Sequence, residues 1–419
     1  MKADLYRSLN IKTVFKYFEI LLIIFAIFQT QKTMGNSTNQ ETYTVKLNQP
    51  ENGTLTITPP LPDDGRVSTG TIITLKATPA EGYALDSCYI AGKTNIEFMT
   101  EQTQITVDKN MTIGASFIEK DQLKGFSTMH NIVYAQPGVK KLKYDVFKPD
   151  GAQNLPAIVI IHGGGWSMNT EDVMRGLARE LVKTGDYVAF SIDYRWIGNG
   201  DGDKTPVTMA NIIEDVYGAI AHIQDYAKVY GIDPTKIAVT GDSAGGHLSA
   251  AVINVVNRIG DGGFGVREGV YEYKPTYMPE GKSVEQVRKE LTEAIKVAAP
   301  SYGVFVGSVL GRFAEGYDEQ ALKAIAPIDN IPNISERAVP QFLLRGTNDN
   351  LINNKAVQVY ANALEAAGQT VEYVQVPGAG HAFFDWKPDA RTQATFKQYG
   401  VPYAAKMKAF FDKVFYPDK

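Results

Sequence analysis

Residues 236–256 read KIAVTGDSAGGHLSAAVINVV, a strand-like apolar run that passes into a helix-like one with almost no connecting chain. A buried strand joined so tightly to a helix forces the joining residue, Ser243, into a strained backbone conformation. Any side chain two positions to either side of it would collide with the strand or the helix. Gly241 and Gly245 stand at those two positions. The turn therefore lifts a hydroxyl above a sheet and leaves the amide of Ala244, in the first turn of the helix, aimed at the space in front of it.

The rest of the chain supplies the sheet that such a turn requires. AIVII (157–161), YVAFSI (187–192), KIAVT (236–240), IKVAA (295–299), FLLR (342–345) and VEYVQV (371–376) are apolar runs suited to central strands covered on both faces. LKYDVF (142–147) alternates as an early, half-exposed strand. Helical patterns fill 172–183, 209–230, 244–257 and 355–367, and a last one runs from about 393 to 415. Strands alternating with helices predict an α/β fold with a mostly parallel sheet. Segments 258–290 and 301–336 break the alternation and read as insertions forming a rim or lid.

A serine hydroxyl is almost never ionised near neutral pH, so it needs a general base. The chain has five histidines. His247 lies four residues past Ser243 on the same helix and reads as packing beneath the turn. His222 sits inside a helix, His130 precedes the first strands, and His162 opens the stretch HGGGW. His381 remains, in the loop PGAGHAFF that follows the strand VEYVQV. A carboxylate must hold that imidazole in its useful tautomer. Asp349, in FLLRGTNDNLI, falls just past a strand end on the same sheet edge; Asp385, read as a surface residue, and Asp329 are rivals. The order Ser, Asp, His is that of α/β-hydrolases, and other triad folds use different orders. HGGGW follows the strand AIVII, so the amides of Gly164 and Gly165, with that of Ala244, form a candidate oxyanion hole.

Two segments precede this region. Residues 1–35 carry Lys2, Arg7, Lys12 and Lys16 ahead of ILLIIFAIF, then turn polar, as an export signal does. The apolar stretch is short for a bilayer span, and no small-x-small cleavage site follows, which leaves an uncleaved anchor open. Residues 41–119 alternate Thr, Val and Ile with polar residues between turn signals such as Asn52-Gly53 and Glu81-Gly82, which predicts a small all-β module. Residues 120–126 read as a linker. The one cysteine, Cys88, excludes an intrachain disulfide, and a net charge of -4 gives no basic footprint for nucleic acid.

GTIITLKATPAEGYALDSCYI and MTIGASF, in the β module, resemble divergent internalin-type B-repeats, which implies a surface or secreted protein. HGGGW, SIDYR, GDSAGG, GTND and GAGH together make residues 127–419 similar to α/β-hydrolase carboxylesterases of the HGGG branch near hormone-sensitive lipase. That resemblance implies Ser243 as nucleophile, His381 as base, Asp349 as its partner and Gly164, Gly165 and Ala244 as oxyanion donors, with no metal or cofactor. Arg345 stands where many relatives have histidine. The export signal, the surface-type module and similarity to bacterial acetyl and feruloyl carbohydrate esterases together point to an exported enzyme whose partner is an ester substrate, such as plant polysaccharide. Of the aromatics Trp166, Trp196, Tyr302, Phe305, Phe383 and Phe384 near the predicted site, Trp166, Tyr302 and Phe383 are the candidates for substrate contact. The rival readings are a serine peptidase of the prolyl-oligopeptidase type, a lipid or short-chain esterase, and a non-catalytic surface adhesin.

Overall fold

The computed structural model describes residues 41–92, 96–99, 104–260, 273–314 and 316–418. The expected leader, residues 1–35, lies outside the described residues.

From Phe126 onward the chain builds one sheet from β1 (Phe126–Ala135), β2 (Leu142–Pro149), β3 (Leu155–Ile161), β4 (Val188–Ile192), β5 (Ile232–Asp242), β6 (Ile295–Ser301), β7 (Gln341–Gly346) and β8 (Val371–Val376). The spatial order is β8-β7-β6-β5-β3-β4-β2-β1. Pairing is parallel from β8 to β4, and antiparallel where β2 meets β4 and β1. Six longer helices accompany it: α1 (Arg175–Val182), α2 (Met209–Asp225), α3 (Ala244–Val255), α4 (Val284–Ala294), α5 (Asn354–Ala366) and α6 (Val401–Phe415).

Successive strand side chains point to opposite faces, and both faces of this sheet are covered, so its middle strands must be apolar throughout. In β3, Ile158 and Ile160 pack with Leu177 and Leu181 of α1 and Phe411 of α6. Val159 and Ile161 pack on the other face with Ile213 of α2, Leu248 of α3 and Leu291 of α4. Each such side chain contributes about 1.5–3 kcal/mol by leaving water.

Four expectations change. β2 is almost wholly buried, because the polar positions of its alternation face a charged network instead of solvent: Asp145 is fully buried against His130 and Arg175. His130 lies within β1 and does not precede the strands. β8 is an edge strand and only partly buried, although its sequence reads like a central one. Finally, α4 restores the strand–helix alternation inside the segment read as an insertion; residues 261–272 of that segment lie outside the described residues.

The N-terminal region is all β. A five-stranded sheet (Arg66–Ser68, Thr42–Leu47, Met111–Glu119, Tyr83–Ala91, Ile96–Met99) and a three-stranded sheet (Gly53–Thr58, Ile72–Pro79, Gln104–Thr106) enclose Val45, Ile73, Ile105 and Ile113. Cys88 is buried there.

Candidate active site

Ser243 sits between the last residue of β5 and the first of α3, with φ 52° and ψ -111°, a left-handed conformation that costs a non-glycine residue energy. The glycines around it are sterically required. A Cβ on Gly241 would lie 2.5 Å from the carbonyl oxygen of Ile161, and one on Gly245 would run into the same oxygen. One on Gly246 would meet the carbonyl oxygen of Ser301 at 2.5 Å. β3 and β6 therefore hold the turn from either side.

Three loops from separate strand ends converge here. His381 Nε2 is 2.8 Å from Ser243 Oγ, and His381 Nδ1 is 2.8 Å from Asp349 Oδ2. Oδ1 of Asp349 accepts the amides of Leu351 at 2.8 Å and Ile352 at 2.9 Å. Burial pushes the Asp349 carboxyl up, but the hydrogen bonds from His381 and these amides outweigh it and hold its pKa below the usual carboxylate value. Tyr302 packs edge-on against the His381 ring at a centroid distance of 4.9 Å.

Gly164, Gly165 and Trp166 all have positive φ, at 117°, 59° and 61°. Among the described residues the amides of Gly164 and Gly165 donate to no protein group, and the Ala244 amide opens α3, where helix geometry gives it no partner. The loop is anchored at its base instead. Gly163 donates its amide to Asp242 Oδ1 at 2.6 Å. The His162 ring stacks on Tyr194 at 4.1 Å and its Nε2 meets Asp193 Oδ1 at 3.2 Å, so the Asp-Tyr of SIDYR supports the glycine loop from beneath. Arg195 turns away to pair with Asp215 at 2.8 Å.

The aromatic expectations need correction. Trp166, Tyr302 and Phe383 are 2%, 0% and 0% exposed, so they offer no face for a ligand to stack on. Tyr302 and Phe383 pack against each other behind the His381 ring, and Trp166 packs on His247 and Phe313. Phe305 and Phe384 are buried likewise; Trp196 is half-buried and bonded to the carbonyl of Asn169. Asp385, read as a surface residue, is 6% exposed and paired with Lys387 at 2.8 Å. Asp329 is not joined to the His381 ring, whose Nδ1 takes Asp349.

Sequence reasoning did not single out Asp242 or give Arg345 a role. Asp242 is 1% exposed, and burial together with the neighbouring Asp385 carboxylate pushes its pKa well above the ordinary value. Arg345 donates to the carbonyls of Asp349 at 2.8 Å and Ile352 at 2.6 Å, and so fastens the loop that presents the acid. Its departure from the histidine of relatives was the available signal.

A mostly parallel sheet in this order, with a serine, a histidine and an aspartate aligned on the edge where its parallel strands end, defines an α/β-hydrolase. Within that class the chain belongs to the BD-FAE family, whose model matches residues 144–364. Residues 43–121 match the model of the divergent InlB B-repeat domain. The esterase LipQ of Mycobacterium tuberculosis is 28% identical over 298 residues, 65% of this chain and 62% of LipQ. The carboxylic ester hydrolase LipN of the same organism is 36% identical over 107 residues, 25% of this chain and 27% of LipN. The chain thus spans less than two thirds of these relatives. A solved structure described as a truncated form of carbohydrate esterase from gut microbiota shares the fold, with 21% identity, a TM-score of 0.51, and coverage of 69% of this chain and 96% of that one.

Proposed function

We propose that the protein is an exported serine carboxylesterase that removes acyl groups, acetyl or feruloyl, from carbohydrate through an acyl-enzyme. The carrying observation is the continuous Ser243–His381–Asp349 line with both links at 2.8 Å. Ser243 Oγ attacks the ester carbonyl as His381 Nε2 takes its proton, and Asp349 stabilises the resulting imidazolium. The oxyanion is met by the amides of Gly164, Gly165 and Ala244, each donor worth about a hundredfold to a thousandfold in rate. The carbon–oxygen bond to the alcohol breaks as His381 returns the proton to it. Water then repeats the sequence and frees Ser243.

Export is supported by the basic and apolar leader and by the B-repeat-like module, which in sequence is of a surface type. The carbohydrate preference is supported by the same two features, and one structural neighbour is described as a carbohydrate esterase. Release of acetate and ferulate from acetylated and feruloylated xylan, beside aryl acetates, a triglyceride and a prolyl peptide substrate, tests the reading. Turnover of the xylans above the lipid and peptide is expected; hydrolysis of the peptide alone would overturn it.

A further inference from the structure

Asp86 is an anomaly of the β module. It lies in the strand Tyr83–Ala91, where aspartate is disfavoured, and is 9% exposed. The strand's pairing slips between Leu85 and Ser87, so Asp86 occupies a β-bulge, a device that re-aims a side chain. Its partners all lie outside the module. Oδ1 accepts Arg179 Nη1 at 2.8 Å, Oδ2 accepts the indole Nε1 of Trp386 at 2.8 Å, and the main-chain oxygen accepts Arg175 Nη1 at 3.3 Å. Arg179 also lies over the Trp386 ring, 4.8 Å from its centroid.

Trp386 stands five residues after His381, on the same segment. Its amide donates to the carbonyl of Val173 at 2.8 Å, and its ring meets Phe396 edge-on at 5.4 Å. α1 packs closely enough that a Cβ on Gly176 would lie 3.1 Å from that of Trp386. Between His381 and Trp386 the segment is held by the Phe384 amide, which donates to the Tyr302 hydroxyl at 3.2 Å, and by the Asp385–Lys387 pair. The far end of this short segment is thus held by Val173 and Phe396 within the hydrolase fold and, at the indole nitrogen, by a charge the β module supplies. A buried charge costs energy unless its partners stay in place, so the contact resists sliding.

We propose that Asp86 is a positioning residue for His381, acting through Trp386, which makes the B-repeat module an integral part of the catalytic unit. This rests on the reading of His381 as general base. Displacing a reacting group by about 1 Å can cost about a hundredfold in rate.

The test uses the full chain with Asp86→Ala, Asp86→Asn, Trp386→Phe and the Asp86→Ala/Trp386→Phe double variant, and Lys76→Ala as a control on the module's exposed surface. The readouts are kcat and KM on an aryl acetate, the rate of Ser243 labelling by a fluorophosphonate, and Tm. We expect Asp86→Ala and Trp386→Phe each to lower kcat and the labelling rate about 10- to 100-fold with KM within about threefold. The double variant should be no worse than the worse single one, because both substitutions break the same Asp86–Trp386 link. Asp86→Asn, which keeps an acceptor for the indole, should recover part of the loss. Folded Asp86→Ala protein with kcat and labelling within about twofold of wild type would overturn the proposal. If Asp86→Ala does not fold, Trp386→Phe decides on the same criterion. Wild-type protein that labels but turns over no ester would count against the proposed function; the labelling arm still reads the positioning.

Discussion

Asp242 accepts a 2.6 Å hydrogen bond from the amide of Gly163, so the residue beside Ser243 holds the loop that carries two of the proposed oxyanion donors, Gly164 and Gly165. Its carboxyl is buried beside that of Asp385, and burial together with this neighbour pushes its pKa up. A carboxyl whose environment disfavours its charge loses less on becoming an amide than an ordinary carboxylate does. Asp242→Asn should therefore keep kcat within about fivefold, while Asp242→Ala, which frees the Gly163 amide, should lower it about 10- to 100-fold, as loss of oxyanion alignment does. Steady-state kinetics on an aryl acetate separate the two.

Ser243→Ala should remove at least about ten-thousandfold of the turnover and leave thermal unfolding unchanged, because the hydroxyl is the proposed reacting atom and packs no core. Asp349→Asn should cost about a thousandfold to ten-thousandfold through the wrong imidazole tautomer. Near-wild-type rates in either variant would remove the assignment.

Gly245→Ala probes the turn itself. The added methyl would collide with the Ile161 carbonyl, a main-chain atom of a central strand that cannot step aside. A loss of roughly 3 kcal/mol or more in unfolding free energy, with activity falling alongside, is the expected result of urea denaturation.

His247 makes stability acid-sensitive. Its Nε2 donates to the Ile325 carbonyl at 2.9 Å, and its Nδ1 accepts the Trp166 indole at 3.2 Å, so a second proton would meet an N–H donor. Burial lowers its pKa from 6.5 to about 4. Between those values the unfolded chain binds a proton that the folded chain does not, so stability falls as pH drops through that window, by about 3 kcal/mol in all. The depressed Asp349 acts lower still: its contribution is present above the unfolded carboxylate pKa and is lost as pH falls through the folded one. His247→Gln, which can still accept from Trp166 and donate to Ile325, should flatten the slope between about pH 6.5 and about pH 4 in urea titrations.

Much of this molecule is legible along the chain because the relevant physics is local. The elbow at Ser243 follows from glycine spacing between an apolar strand and a helix, and the parallel sheet follows from apolar runs too continuous to face water on either side. The pairing of Ser243 with His381 across 138 positions was reachable by elimination, since a nucleophile needs a base and few imidazoles end a strand. The polar residues are different, because a side chain's charge says nothing of what covers it. Asp385 and the polar positions of β2 read as solvent-facing until α1 and the loops close over them, and Trp166, Tyr302 and Phe383 read as ligand contacts until they prove to be packed from every side. Asp86 reads as one more polar position of a β strand. Only the docked interface, where a bulge turns it toward Arg179 and Trp386, makes it a partner of the histidine loop, because burial of a charge is a property of two surfaces meeting and not of either sequence segment.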